Sequence, residues 1–156
     1  MTKPSSTIAR ARAIAKRNGW PADMVKTEAD ALAVFDGGCY FSPKHAALVV
    51  RFFHEFLHHS IAEWAGKPFD LFPWQKDEWI DPLFGWLRKD GTRRYRRAGV
   101  WIPKKSGKTS MSAGICLYLL VGDGEPGAQV FSAANDRNQA AYIYRDCAAH
   151  VKQSPD

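Results

Sequence analysis

The chain has 156 residues, 46% hydrophobic and 24% charged, enough for a domain with a real core and unlike a disordered tail. Six tryptophans and nine phenylalanines strengthen that exclusion, and no apolar run approaches the roughly 18–20 residues of a membrane span. The net charge of +6 suits a polyanion partner but says nothing of the fold.

In chain order, MTKPSSTIARARAIAKRNGW is basic, lacks the apolar core and cleavage site of a signal peptide, and predicts a helix over Thr7–Arg17 that breaks at Gly19–Pro21. A second, weaker helix is expected over Glu28–Val34, before the turn Asp36-Gly37-Gly38. Cys39, Cys116 and Cys147 are odd in number and show no C-x-x-C spacing, which favours reduced thiols in a cytosol. SPKHAALVVRFFHEFLHHSIAEWAG opens with a capping Ser42 and Pro43 at the first helical position. Its apolar residues Val49, Phe53 and Leu57, with Leu48, Phe52 and Phe56, recur at helical spacing until Gly66-Lys67-Pro68.

FDLFPWQKDEWIDPLFGWLRKDG predicts a loop, then a helix from Pro73 that Pro82 breaks or kinks, then the turn Asp90-Gly91. YRRAGVWIP predicts a strand, SGKTSMSAGICLYLLVG a helix, AQVFSAA a second strand and NDRNQAAYIYRDCAAHVKQSP a second helix capped by Asn135. That alternation is α/β: a partial P-loop NTPase with a parallel sheet and flanking helices over residues 71–156, after a helical segment over 1–70.

Between strand and helix lies VWIPKKSGKTS. It ends as G-x-x-x-x-G-K-[ST] does, but Ile102 stands where the first glycine belongs. A strand before and a helix after are the context the motif requires. Backbone N–H groups from Lys105, Ser106, Gly107, Lys108 and Thr109 then face an anion at the positive end of the helix dipole. Lys108 reaches the β- and γ-phosphates and the Thr109 hydroxyl holds Mg²⁺. Three lysines at a helix start conflict with the dipole unless an anion joins them. From Arg88 to Lys108, nine cations face one acid, Asp90.

These residues resemble the large terminase subunit of tailed bacteriophages, the DNA-packaging motor. IPKKSGKT is similar to that family's deviant phosphate loop, in which a basic residue stands early. KPFDLFPWQ looks like its adenine-contacting segment, ALVVRFFHEFLHHSIAEWAGKPF like the helix before it, and VFSAANDRNQA like the strand and helix start that follow the loop helix. The resemblance covers roughly Phe35 to Asp156. It implies ATP and Mg²⁺ as cofactors, Gln75 at the adenine edge, Trp74 near the base, and Lys104 as the early cation on the γ-phosphate. It also implies double-stranded viral DNA, a small terminase subunit and a portal as partners, an oligomer in the motor, no membrane, and the host cytoplasm.

The family's acidic pair at the end of a later strand has no match. Asp123, 15 residues after Lys108, ends the loop helix itself. The chain stops after the second predicted strand and helix, before the family's remaining strands and its nuclease. The expectation is an N-terminal portion that binds nucleotide without efficient hydrolysis.

Two other constellations compete. His54-Glu55-Phe56-Leu57-His58 satisfies H-E-x-x-H, whose histidines share a helix face and hold zinc in metallopeptidases. His59 points about 100° away on such a helix, so it makes a poor third ligand, and Glu78 is remote in sequence. The stretch Arg88–Arg97, with Tyr95 interleaved, fits a non-catalytic nucleic-acid-binding module.

Overall fold

Capping and apolar spacing place most helices where the sequence puts them. The computed structural model describes residues 5–59 and 62–154. It has two compact units: one takes the chain up to Leu48 together with Phe72–Gly99, the other Val49–Leu71 together with the chain from Val100 onward. Each unit therefore draws on both sides of residue 71.

The first unit starts with α1 (Ser6–Arg17), whose Ser5 hydroxyl accepts from the Ile8 N–H at 3.3 Å. Ala11 and Ala15, four residues apart, are its buried face, and Gly19 in left-handed backbone follows its end. Helix α2 (Glu28–Phe35) begins with a capping box: the Asp30 N–H donates to Thr27 Oγ1 at 3.2 Å, and the Thr27 N–H to Asp30 Oδ2 at 2.9 Å.

Two short strands, β1 (Tyr40–Phe41) and β2 (Trp86–Leu87), pair antiparallel, Tyr40 opposite Leu87 and Phe41 opposite Trp86. The Trp86 ring meets Trp20 and Phe41 edge-on at 5.6 and 6.1 Å, at the centre of a core that includes Met24, Val25 and Ala31. A Cβ on Gly85 would overlap the Phe41 ring, so glycine is required there. Leading into β2, a helical segment runs as α4 (Pro73–Gln75), a wider π turn (Lys76–Ile80) and α5 (Asp81–Gly85). Pro82 does not end it. Proline has no N–H for the carbonyl four residues back and its ring crowds that carbonyl; the wider turn just before Pro82 accommodates both.

The hub of this unit is the Asp30 carboxylate, on a residue 5% exposed. Its Oδ1 accepts from Arg94 Nη1 at 2.6 Å and the Tyr95 hydroxyl at 3.0 Å; Oδ2 accepts from the Lys26 N–H at 3.1 Å and from the Thr27 N–H and hydroxyl. Arg94 lies over the Trp86 ring at 4.9 Å. One carboxylate thus ties α2 to the segment after β2. Burial alone would raise its pKa, but the hydrogen bonds from Arg94, Thr27 and Tyr95 together hold it below the usual carboxylate range.

Helix α3 (Pro43–Phe56) passes from the first unit into the second. In the second unit its Val49 and Phe53 are buried with Leu57, Phe69, Met111 and Leu117. Helix α6 (Lys108–Leu117) continues as a π turn (Tyr118–Gly122). A Cβ on its Gly114 would overlap the Phe53 ring, so the glycine sets how closely α6 approaches α3's second half. Helix α7 (Arg137–Gln153) is capped by Asp136, which accepts from the Gln139 N–H at 2.9 Å, one residue later than the predicted Asn135. It is fastened to α6 by Ser110 Oγ donating to Asp146 Oδ2 at 2.9 Å and by the Cys147 thiol facing the Ala113 carbonyl at 3.5 Å.

Two expectations need correction. The predicted long third helix ends at Phe56, because the chain beyond it doubles back: the Phe69 N–H donates to the Leu57 carbonyl at 2.8 Å and the His59 N–H to the Lys67 carbonyl at 2.9 Å. Residues 60 and 61 of that predicted helix lie outside the described residues. Second, the segments 95–103 and 128–134 form no strand, and the two-stranded antiparallel sheet is the only sheet among the described residues. A parallel sheet is covered on both faces. Here Trp101 is 91% and Phe131 85% exposed, so neither segment has the covering layer that would hold it in such a sheet.

Replacing Asp30 by Asn removes the charge that Arg94 faces and is expected to destabilise the first unit by roughly 3 kcal/mol at neutral pH. The depressed carboxylate stabilises above its ordinary value of 3.8, and that contribution disappears as pH falls through its lower folded value. Urea unfolding followed by tryptophan fluorescence from pH 7 downward checks both: wild type loses stability in that acid window, and Asp30→Asn has a flatter profile there.

Candidate functional site

After Pro103 the chain turns through Lys104–Gly107 and enters α6 at Lys108. Two residues of the turn take left-handed backbone, Lys105 at φ 67° and Gly107 at φ 71°. Glycine does this freely. A residue with a Cβ does so at a cost of about 1 kcal/mol, and Lys105 is the only non-glycine with positive φ among the described residues. Turns containing left-handed residues gather successive N–H groups into a concavity that accepts anions.

The start of α6 adds further backbone donors next to that turn. The first N–H groups of any α-helix have no intrahelical acceptor. Ser5, Thr27 and Asp136 supply side-chain oxygens at the starts of α1, α2 and α7; Gly107 supplies none to α6. The donors of α6 and its positive dipole end are thus open to an outside anion. Pro103, Lys104, Lys105, Gly107 and Lys108 are exposed, while Ser106 and Thr109 are half-buried. The turn therefore brings Lys104, Lys105, Ser106, Gly107, Lys108 and Thr109 together on one loop and one helix start.

Gln75 belongs to the first unit. It is 1% exposed, and its Oε1 accepts from the Phe72 N–H at 2.9 Å, closing the first turn of α4. An amide oxygen has a second lone pair, so this bond leaves it able to accept once more. Trp74 beside it is exposed.

Asp123 follows the π turn that continues α6. Fourteen residues of helix separate it from Thr109, about 20 Å at 1.5 Å per residue, so it stands far from the phosphate loop. Sequence reading missed Ser110–Asp146, which holds α7 against the first turn of α6. A spacing signal was available: Ser110 shares a helical stripe with Gly114 and Leu117, and Asp146 with His150, the buried residue of α7.

The H-E-x-x-H reading loses its geometry. Because α3 ends at Phe56, His58 is not carried on the helix that carries His54, and the two imidazoles share no helix face. His54 Nδ1 pairs with Asp70 Oδ1 at 2.6 Å. His150 Nδ1 bonds the His58 carbonyl at 2.8 Å, and burial lowers the pKa of both His150 and His59, favouring their neutral forms. No group of three or more His, Cys, Asp or Glu is placed to hold a metal ion among the described residues.

The basic stretch divides in two. Arg94 is drawn inward to Asp30 and Trp86, and Arg93 lies over the Phe84 ring at 5.7 Å. Tyr95 gives its hydroxyl to Asp30, and its pKa is pushed up to about 12, chiefly by burial. Arg88, Lys89, Arg96 and Arg97 are left.

A family model described as the terminase large subunit, ATPase domain, matches residues 73–156, more than half of the chain. No curated protein and no solved structure matches it. No described helix is long and apolar enough to cross a membrane.

Gly107→Ala places a Cβ on a left-handed residue at the start of α6. It is expected to destabilise the second unit by about 1 kcal/mol, despite the smaller backbone entropy of the unfolded variant. A lower denaturant midpoint at unchanged slope checks this.

Proposed function

The chain belongs to the terminase large subunit family through its ATPase domain, and on that footing we propose that its phosphate loop binds ATP with Mg²⁺. The observation that carries the reading is the uncapped start of α6 behind the left-handed residues Lys105 and Gly107. The residues fit a triphosphate. Lys105, Ser106 and Gly107 offer backbone N–H groups, Lys108 a cation for the β- and γ-phosphates, and Lys104 a second cation early in the loop. The Thr109 hydroxyl is the proposed Mg²⁺ ligand, the ion neutralising phosphate charge when bound. An anion here also relieves the repulsion between three lysines and the helix dipole. Gln75 is proposed for the adenine edge on the family resemblance alone, since an amide can donate and accept at once.

In the family's setting, this nucleotide site would serve ATP-driven movement of double-stranded viral DNA into a procapsid. The small terminase subunit and a portal would be its partners, an oligomeric motor its form and the host cytoplasm its location. Hydrolysis needs an acid that holds the metal and orients water. Asp123 is about 20 Å along the helix from Thr109. The proposal is therefore nucleotide binding with slow turnover by this chain.

Lysine–phosphate hydrogen bonds are charge-assisted and contribute about 1.5–3 kcal/mol. Lys108→Ala is expected to weaken binding of a fluorescent, non-hydrolysable ATP analogue with Mg²⁺ by at least about tenfold, with an unchanged far-UV circular dichroism spectrum. Equal binding by the variant would contradict the assignment.

A further inference from the structure

The net charge of +6 is not spread over the chain. The first unit holds fourteen of the 22 Lys and Arg residues and eight of the 16 Asp and Glu, which accounts for all of it; the second unit, with the phosphate loop, is neutral. Within the first unit several acids are matched: Asp30 by Arg94, Glu78 by Lys26, and Asp77 and Asp81 by Lys76. Asp90 is spent inside a turn, its Oδ1 accepting from the Thr92 N–H at 2.9 Å and hydroxyl at 2.7 Å.

That turn makes the basic stretch a shaped element. The Arg88 N–H donates to the Thr92 carbonyl at 2.8 Å, the Gly91 N–H to the Arg88 carbonyl at 2.9 Å, and the Arg94 N–H to the Trp86 carbonyl at 2.9 Å; Leu87 bridges Arg93 antiparallel. The hairpin is then pinned at its base by Arg94 and Tyr95 on Asp30. Lys89, Arg96 and Arg97 are exposed and Arg88 is half-buried; among the described residues none of the four has a carboxylate within 4.0 Å, although the Arg88 charge helps to lower the Asp90 pKa.

We propose that this hairpin, through Arg88 and Lys89, and the segment that follows its base, through Arg96 and Arg97, contact the phosphate backbone of duplex nucleic acid. The inference says where the first unit meets the polyanion, and it rests on the family reading only for taking DNA as that polyanion. The aromatic residues decide between polyanions. Proteins that grip single strands stack bases on exposed rings, and those that lie on membranes insert apolar side chains. Phe84 and Trp86 are buried, and the Tyr95 hydroxyl is bonded to Asp30 while its ring lies under the Arg94 guanidinium at 4.7 Å. The hairpin therefore offers charge without a ring or a wedge, which fits backbone contact that is blind to sequence. Three of the four cations are arginines, whose planar forks match phosphate oxygens.

The test is fluorescence anisotropy of the full chain with a labelled duplex of mixed sequence, between about 50 and about 200 mM salt. Each neutralised duplex phosphate adds about 0.9 to the salt slope, so Arg96→Ala/Arg97→Ala should reduce that slope by about 1.8. Its affinity loss across the fourfold salt range would be about 12-fold smaller than that of wild type. Arg96→Lys/Arg97→Lys keeps the slope and guards against a folding defect. Lys108→Ala should leave the slope of the Arg96→Ala/Arg97→Ala difference unchanged, and the double alanine variant should keep ATP-analogue binding, so failure here is distinguishable from failure of the nucleotide site. An unchanged slope in the double alanine variant, tighter binding to the single strand of equal length, or binding to phosphatidylserine vesicles in place of duplex would each overturn the proposal.

Discussion

The first turn of α6 has backbone donors that nothing in its own helix can satisfy, and the residue before it has no side chain to satisfy them. Several contacts of the second unit fix where that helix start sits. Gly114 lets Phe53 lie against α6, Ser110 ties its first turn to Asp146, and Cys147 faces the Ala113 carbonyl. These contacts hold the helix start in place, and Lys105 and Gly107 take left-handed backbone in the turn just before it. Lys105 takes that bend at the conformational cost of a Cβ. A loop under such strain, with three lysines where the dipole disfavours cations, is coherent once an anion is part of the structure.

The first unit is organised around a different charge problem. Asp30 is nearly excluded from water and is stabilised by five hydrogen-bond donors from Lys26, Thr27, Arg94 and Tyr95. Using Arg94 and Tyr95 inside the fold separates the basic stretch into an internal part and an outward part. The sequence alone presents Arg88–Arg97 as one cluster with an aromatic residue in it. The structure half-buries the Tyr95 ring and ties its hydroxyl to Asp30, which favours the proposed backbone neutralisation over base stacking.

Legibility followed the range of the interactions. The starts of α3 and α6 were readable because Ser42-Pro43 and Gly107-Lys108-Thr109 act within one turn. The capping region of α7 was readable to within a residue, because Asn135 and Asp136 are both good caps and adjacent. The end of α3 was not: no breaker precedes Gly66, and what stops the helix is a set of bonds from Phe69 and His59 that fold the chain back. The zinc reading fell with that same error, since it needed the helix to reach His58. The strands around Trp101 and Phe131 were read from apolar content, which marks a segment that can be covered, not one that is. In the candidate site, the loop residues were named by motif, whereas the tie between Ser110 and Asp146 needed two helices to be seen side by side.

The α6 start and the turn before it are the proposed anion site. The direct measurement is the amide ¹H–¹⁵N spectrum of the full chain titrated with inorganic pyrophosphate and then with Mg²⁺ and a non-hydrolysable ATP analogue. The amides of Lys105 to Thr109 are expected to shift first and most, saturably, with both ligands. Shifts that leave those five amides unmoved while others respond, or that follow ionic strength alone, would contradict it.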